Sequence, residues 1–186
     1  MHLNNISPST IIEKIKNIRF LLSDVDGVLT DGSLYVGSDG TEYKKFHVED
    51  HAGVALCRFG GIDVGLLSAR FSESTSIRAK EMNINICIQG ALNKVRKLKQ
   101  ICRDNNIKED EVAYVGDGLI DIPVMDCVGL AISVNNADEQ VKSSADIVTE
   151  KEGGQGALKE IVNFILKKQG KYDSALKAMR EKVYES

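Results

Sequence analysis

The sequence predicts an α/β fold built on a mostly parallel sheet with helices on both faces. Two observations carry that prediction. Short apolar runs of strand length alternate with stretches of helical periodicity along the chain, the pattern of strand–helix–strand units. Asp24, Ser68 and Asp117 each fall where one of those runs ends, and open parallel sheets bind ligands beyond the C-terminal ends of their strands. The 186 residues suit one domain, expected to span residues 1–186, with enough chain to bury a core without cross-links.

The first expected strand is Ile18–Ser23, followed by a helix over Ala52–Phe59. Strands at Asp63–Ser68, Asn85–Ile88, Val112–Gly116, Leu130–Val134 and Asp146–Val148 then alternate with helices at Glu73–Met82, Asn93–Asn105, Pro123–Cys127 and Ala137–Ser143. In the Asn93–Asn105 stretch, Val95, Leu98, Ile101 and Cys102 recur at helical spacing. A last amphipathic helix, Ala157–Lys168, carries Leu158, Ile161, Val162, Ile165 and Leu166 on one face, as a core-facing stripe requires. Residues 33–48 break the alternation. Strands at Leu34–Val36 and Glu42–Phe46 flank Gly37-Ser38-Asp39-Gly40, a hairpin signal. Tyr35, Tyr43 and Phe46 are expected to be exposed on that hairpin and to form an oligomer contact. A tail of residues 169–186 follows, and the sequence leaves its order open.

Composition removes several function classes. The net charge is −3, with Lys and Arg scattered among acids, and no basic stripe interleaved with aromatics suggests nucleic-acid binding. No apolar segment approaches the length of a membrane span. Met1–Thr10 is polar and lacks the apolar centre of an export signal. Cys57, Cys87, Cys102 and Cys127 lie far apart with no Cys-x-x-Cys pair, so they are expected as reduced thiols packed as small hydrophobes, in the cytoplasm.

The chemistry concentrates in a few residues. The first strand ends in Asp24-Val25-Asp26-Gly27, and alternate residues of a strand share a face. Two carboxylates so placed repel unless a cation lies between them, and Mg2+ prefers such oxygen ligands. Ser68 offers a hydroxyl, with backbone N–H groups of the following turn to cradle an anion. Lys94 opens a helix after Gln89-Gly90 and can bring an ammonium to phosphate and nucleophile. Asp117 and Asp121 stand four apart, so a helical turn returns them to one neighbourhood. A nucleophile, a proton donor, a metal and groups for phosphoryl oxygens are what phosphoryl transfer needs. Asp24 and Asp26 can fill the first two roles.

In this order and spacing, Asp24-Val25-Asp26-Gly27-Val28, Ser68, Lys94 and Gly116-Asp117 with Asp121 resemble the haloacid dehalogenase superfamily of phosphohydrolases. The resemblance implies a three-layer α/β/α Rossmann-like core. It implies that Asp24 attacks phosphorus to form an aspartyl-phosphate, and that Asp26 protonates the leaving alkoxide and later activates water. Mg2+ would be held by Asp24, the backbone carbonyl of Asp26 and Asp117, with Asp121 supporting the metal. Ser68 and Lys94 would bind the phosphoryl oxygens.

No cap domain fits between Thr30 and Asp63 or between Lys94 and Val112, so the chain resembles the capless subgroup, whose sites are shielded by oligomerisation. Lys45-Phe46-His47-Val48, Asn93-Lys94, Leu119–Met125 and Gln169-Gly170-Lys171 extend the likeness to phosphatases of 3-deoxy-2-keto sugar acids. That likeness implies a homotetramer in which hairpins associate and a neighbour's tail reaches the site. Gly118, Ala69 and Gln155 depart from the subgroup's usual Asp, Gly and Arg. Arg70 can fork onto a substrate carboxylate or phosphate and resembles the octulosonate 8-phosphate branch more than the nononate 9-phosphate branch. His47, Glu49 and Asp50 are expected near sugar hydroxyls, with His51 starting a helix. A third reading is an accessory module of a sugar-acid cytidylyltransferase system, which predicts erosion of the acid pair or of Lys94; neither is eroded.

Overall fold

The computed structural model describes residues 1–4 and 7–185. The chain begins with β1 (His2–Leu3), α1 (Pro8–Asn17) and β2 (Phe20–Ser23), then forms a small hairpin of β3 (Tyr35–Val36) and β4 (Glu42–Tyr43). Next come α2 (Val48–Phe59), β5 (Asp63–Leu67), α3 (Glu73–Glu81), β6 (Ile86–Ile88) and α4 (Lys94–Asp104). The second half holds β7 (Val112–Gly116), a 3₁₀ turn at Leu119–Asp121, α5 (Ile122–Met125), β8 (Leu130–Ser133) and α6 (Glu139–Ser144). β9 (Ile147–Val148), α7 (Ala157–Lys168) and α8 (Tyr172–Tyr184) complete it.

Strand order in the main sheet is β1-β9-β8-β7-β2-β5-β6. β1 runs antiparallel to β9, and every other pairing is parallel. All four residues of β2 are buried, as a strand covered on both faces must be. From β2 the chain builds outward through β5 to β6, then crosses back so that β7 lies on the other flank of β2. Right-handed crossovers in these two opposite directions put α2 and α5 on opposite faces of the sheet. α1, α2, α7 and α8 pack together, and α5 contacts both α4 and α6. The reversal at β2 makes its C-terminal end the topological switch point, where sheets of this kind form the crevice that takes a ligand.

The expected strands and helices are all present, with Val112–Gly116 and Ala157–Lys168 at their expected bounds. α2 starts earlier than its apolar pattern does, because His47 caps it: the Glu49 N–H donates to His47 Nδ1 at 3.3 Å. α1 was not foreseen. Its buried face is only Ile11 and Ile15, too short a stripe to register as periodicity. Gln169 Nε2 donates to the Ile15 and Ile18 carbonyls at 2.8 Å each, so the C-terminal end of α1 is satisfied by the far end of α7. The order of the tail, left open by the sequence, is helical: residues Tyr172–Tyr184 form α8, which packs on this chain's own α2 and α7 with Ala175 fully buried.

The hairpin closes through Gly37 N to Thr41 O at 2.8 Å, with Gly40 at φ +84°. Tyr35 and Tyr43 face each other across it, 56% and 63% exposed. Phe46 corrects the expectation: it is half-buried against the core, with the Arg78 guanidinium 5.9 Å above its ring.

Candidate active site

Parallel register brings the polar strand ends side by side. Ser23 pairs with Leu66 of β5 and with Val115 of β7, and Asp24 N–H donates to the Val115 carbonyl at 2.9 Å. Asp24 therefore lies between the ends of β5, after which Ser68 follows, and β7, after which Asp117 follows. Ser68 is buried, and its Oγ accepts the Arg70 N–H at 3.2 Å.

Lys94 begins α4, whose N-terminus is capped by Asn93 Oδ1 accepting from Arg96 N–H at 3.0 Å. Its side chain is 1% exposed. Nζ donates to Asp24 Oδ2 at 2.5 Å, Asp121 Oδ1 at 2.6 Å and Tyr114 Oη at 3.1 Å. The Tyr114 hydroxyl in turn donates to Asp121 Oδ1 at 2.6 Å. Asp121 Oδ2 accepts the Asp117 and Gly118 N–H groups at 3.1 and 3.0 Å. Both oxygens of this fully buried acid are thus occupied by the protein, and Asp121 holds Lys94 and the Asp117 loop from behind.

Two glycines permit this packing. Gly27 sits at φ +81°, and a Cβ there would lie 2.0 Å from Asp117 Oδ2. A Cβ on Gly116 would lie 2.6 Å from the Asp121 Cβ. Carboxylate oxygens of Asp24, Asp117 and Asp121 consequently lie within 4.8 Å of one another. Burial, together with repulsion from Asp121, pushes Asp24 up to about 6 even though Lys94 pulls it down. Burial and repulsion from Asp24 and Asp121 push Asp117 up to about 7. Burial lowers Lys94, but Asp24 and Asp121 outweigh it and hold the ammonium above its ordinary range. The cluster carries more negative charge than its one lysine offsets.

Asp26 is placed differently from the strand-face expectation. The chain leaves extended geometry after Asp24: the N–H groups of Val28, Leu29 and Thr30 all turn back onto the Val25 carbonyl. Alternation along a strand no longer applies, and the Asp26 carboxylate stands outside the acids gathered within 4.8 Å, although its charge still acts on Asp117. Its Oδ1 accepts from Lys44 Nζ at 2.6 Å. Arg70, half-exposed, is engaged by Glu42 Oε2 at 2.8 Å. Asp50 is buried, with Oδ1 accepting the Lys159 N–H at 3.1 Å, and so ties α2 to the start of α7. Glu49 pairs with Lys159 at 2.8 Å.

Lys44, Glu42 and Tyr114 escaped the sequence reading. Lys44-Lys45 reads as a solvated pair, although the two-residue period from Glu42 to Lys44 put both on one strand face. Tyr114 lies inside an apolar run, and nothing local marks its hydroxyl.

The fold, the switch-point crevice and the acid–lysine cluster define a hydrolase of the haloacid dehalogenase class. Residues 64–161 match the family model described as haloacid dehalogenase-like hydrolase, and the chain belongs to that family. A curated relative, the 3-deoxy-D-manno-octulosonate 8-phosphate phosphatase of Escherichia coli (strain K12), is 39% identical over 165 residues, covering 89% of this chain and 88% of its own. The Moraxella catarrhalis phosphatase of the same name, solved with magnesium, phosphate and KDO, superposes with a TM-score of 0.89 at 35% identity, covering 92% of this chain and 99% of that one. The cobalt-bound Haemophilus influenzae phosphatase gives a TM-score of 0.83 at 34% identity, over 86% and 93% of the two chains. Among the described residues no helix is long and apolar enough to cross a membrane.

Proposed function

We propose that this chain hydrolyses 3-deoxy-D-manno-octulosonate 8-phosphate to the free sugar acid and inorganic phosphate. The observation that carries the reading is the buried Lys94 bridging Asp24 and Asp121 beside Asp117, at the crevice where relatives of that name match along most of the chain.

Asp24 is the nucleophile. An Asp24 carboxylate oxygen bonds to phosphorus while the ester P–O bond breaks, and the leaving alkoxide takes its proton from Asp26. Water then attacks the aspartyl-phosphate and gives a proton to Asp26, which frees phosphate and restores Asp24. Lys94 neutralises Asp24 at 2.5 Å and holds it on one line of attack. Ser68 and the N–H groups after it receive phosphoryl oxygens.

The donor set fits Mg2+. Asp24 and Asp117 supply hard oxygen ligands in a cluster whose acids are pushed up to about 6 and about 7 by burial and by repulsion from neighbouring carboxylates. Asp24, Asp117 and the Asp26 carbonyl would hold the ion, with Asp121 bracing the loop instead of ligating. When bound, it neutralises charge on the phosphoryl group. Arg70 would meet the sugar-acid carboxylate on release from Glu42. The outward Tyr35, Val36 and Tyr43 of the hairpin support assembly into a homotetramer, and free cysteines suit the cytoplasm. The described residues are read as one catalytic domain carrying the hairpin as an insert.

Phosphate release from a panel of sugar phosphates with Mg2+ tests this function. The eight-carbon acid is expected to be preferred and Asp24→Asn to be inactive. Better turnover of a nine-carbon acid, or full activity in Asp24→Asn, overturns it.

A further inference from the structure

Lys44 lies at the end of a hairpin whose neighbouring Tyr43 is 63% exposed, yet its own side chain is 1% exposed. The pleat explains the contrast. Tyr43 turns outward, and Glu42 and Lys44 on either side of it turn inward. Lys44 Nζ donates to Asp26 Oδ1 at 2.6 Å and to Thr75 Oγ1 of α3 at 3.4 Å, with Glu42 Oε1 3.9 Å away. Burying a strongly hydrated ammonium is costly unless a specific partner compensates it. Its short contact here is to the one acid to which the proposed reaction assigns proton transfer. The other oxygen, Asp26 Oδ2, is buried and makes no hydrogen bond within the protein.

We propose that Lys44 is a positioning residue for Asp26. It clamps Oδ1 and thereby fixes the orientation of the carboxyl, leaving Oδ2 without a protein partner and free to carry the proton destined for the ester oxygen. The inference rests on the reading of Asp26 as general acid and base. Lys44 itself gains and loses no proton: the proton passes from Asp26 to the leaving alkoxide as the P–O ester bond breaks, and returns from the attacking water. Because the clamp spans from the hairpin to the Asp24–Thr30 loop, the placement of the hairpin is transmitted directly to the proton-transferring carboxyl.

The test compares two esters. An alkyl ester such as the sugar-acid phosphate needs its alkoxide protonated, whereas p-nitrophenyl phosphate releases a stable anion unaided. Turnover of both by the unmodified enzyme comes first and tests the phosphatase reading itself. Lys44→Met should then lower kcat/KM for the sugar phosphate by about 100-fold and for the aryl ester by less than about fivefold, the range set by general-acid assistance. In an Asp26→Asn background Lys44→Met should cost nothing further on the sugar phosphate, since both act through one group. Lys44→Gln, which keeps a donor, should show the same substrate-selective loss in milder form, and it carries the comparison alone if thermal melts show Lys44→Met unfolded. Equal losses on both esters, or an additive loss in the Asp26→Asn background, overturn the proposal.

Discussion

Removing divalent metal should make the stability of this protein fall steeply with rising pH. Asp24 is pushed up to about 6 and Asp117 to about 7, from an ordinary value of 3.8. Both bind protons more tightly in the folded chain than in the unfolded one. Stability is therefore lost as pH rises from 3.8 through the folded values, because the folded state must charge acids crowded around a single lysine. From pH 5 to pH 8, roughly 1.4 kcal/mol per unit gives ~1.4 kcal/mol for Asp24 and ~2.7 kcal/mol for Asp117. The groups interact, so about half of that total, ~2 kcal/mol, is the expected loss. Saturating Mg2+ should restore it, since a ligand at 100 times its dissociation constant contributes about 2.7 kcal/mol. Asp50, pushed up to about 6 by burial, adds a smaller slope that Mg2+ leaves untouched. Urea denaturation at pH 5 and pH 8, with EDTA or with Mg2+, measures both slopes. Equal slopes in the two conditions would show that these carboxylates do not hold the cation.

Lys94→Met should destabilise the fold by about 3–5 kcal/mol, because it strands the buried Asp24 and Asp121 charges, and the loss should shrink at low pH in a urea titration. Gly27→Ala forces a side chain into φ +81° and against Asp117 Oδ2. It should cost about 1–3 kcal/mol by thermal melt and weaken Mg2+ binding by calorimetry. Arg70→Ala removes a guanidinium held 2.8 Å from Glu42. It should raise KM for the sugar-acid phosphate by on the order of tenfold or more while leaving p-nitrophenyl phosphate hydrolysis nearly unchanged.

How much of this was legible follows from which interactions are local. Strand–helix alternation, the hairpin turn and the positions of Asp24, Ser68, Lys94, Asp117 and Asp121 at element ends are written in neighbouring residues, since period and turn chemistry act over a few positions. α1 was missed because its helix rests on two buried isoleucines and on a cap from Gln169, which lies at the other end of the chain. α8 depends in the same way on packing against α2.

Within the site, the order of residues dictates which acids and which lysine are present and that strand ends gather them. Their pairing depends on how the elements pack. Lys94 reaches Asp24 across 70 residues of chain, Gly27 leaves room for Asp117, and the turn after Asp24 sends Asp26 to Lys44. A side chain's partner is set by which backbone passes beside it in space, and for a buried charge that choice governs both its cost and its chemistry.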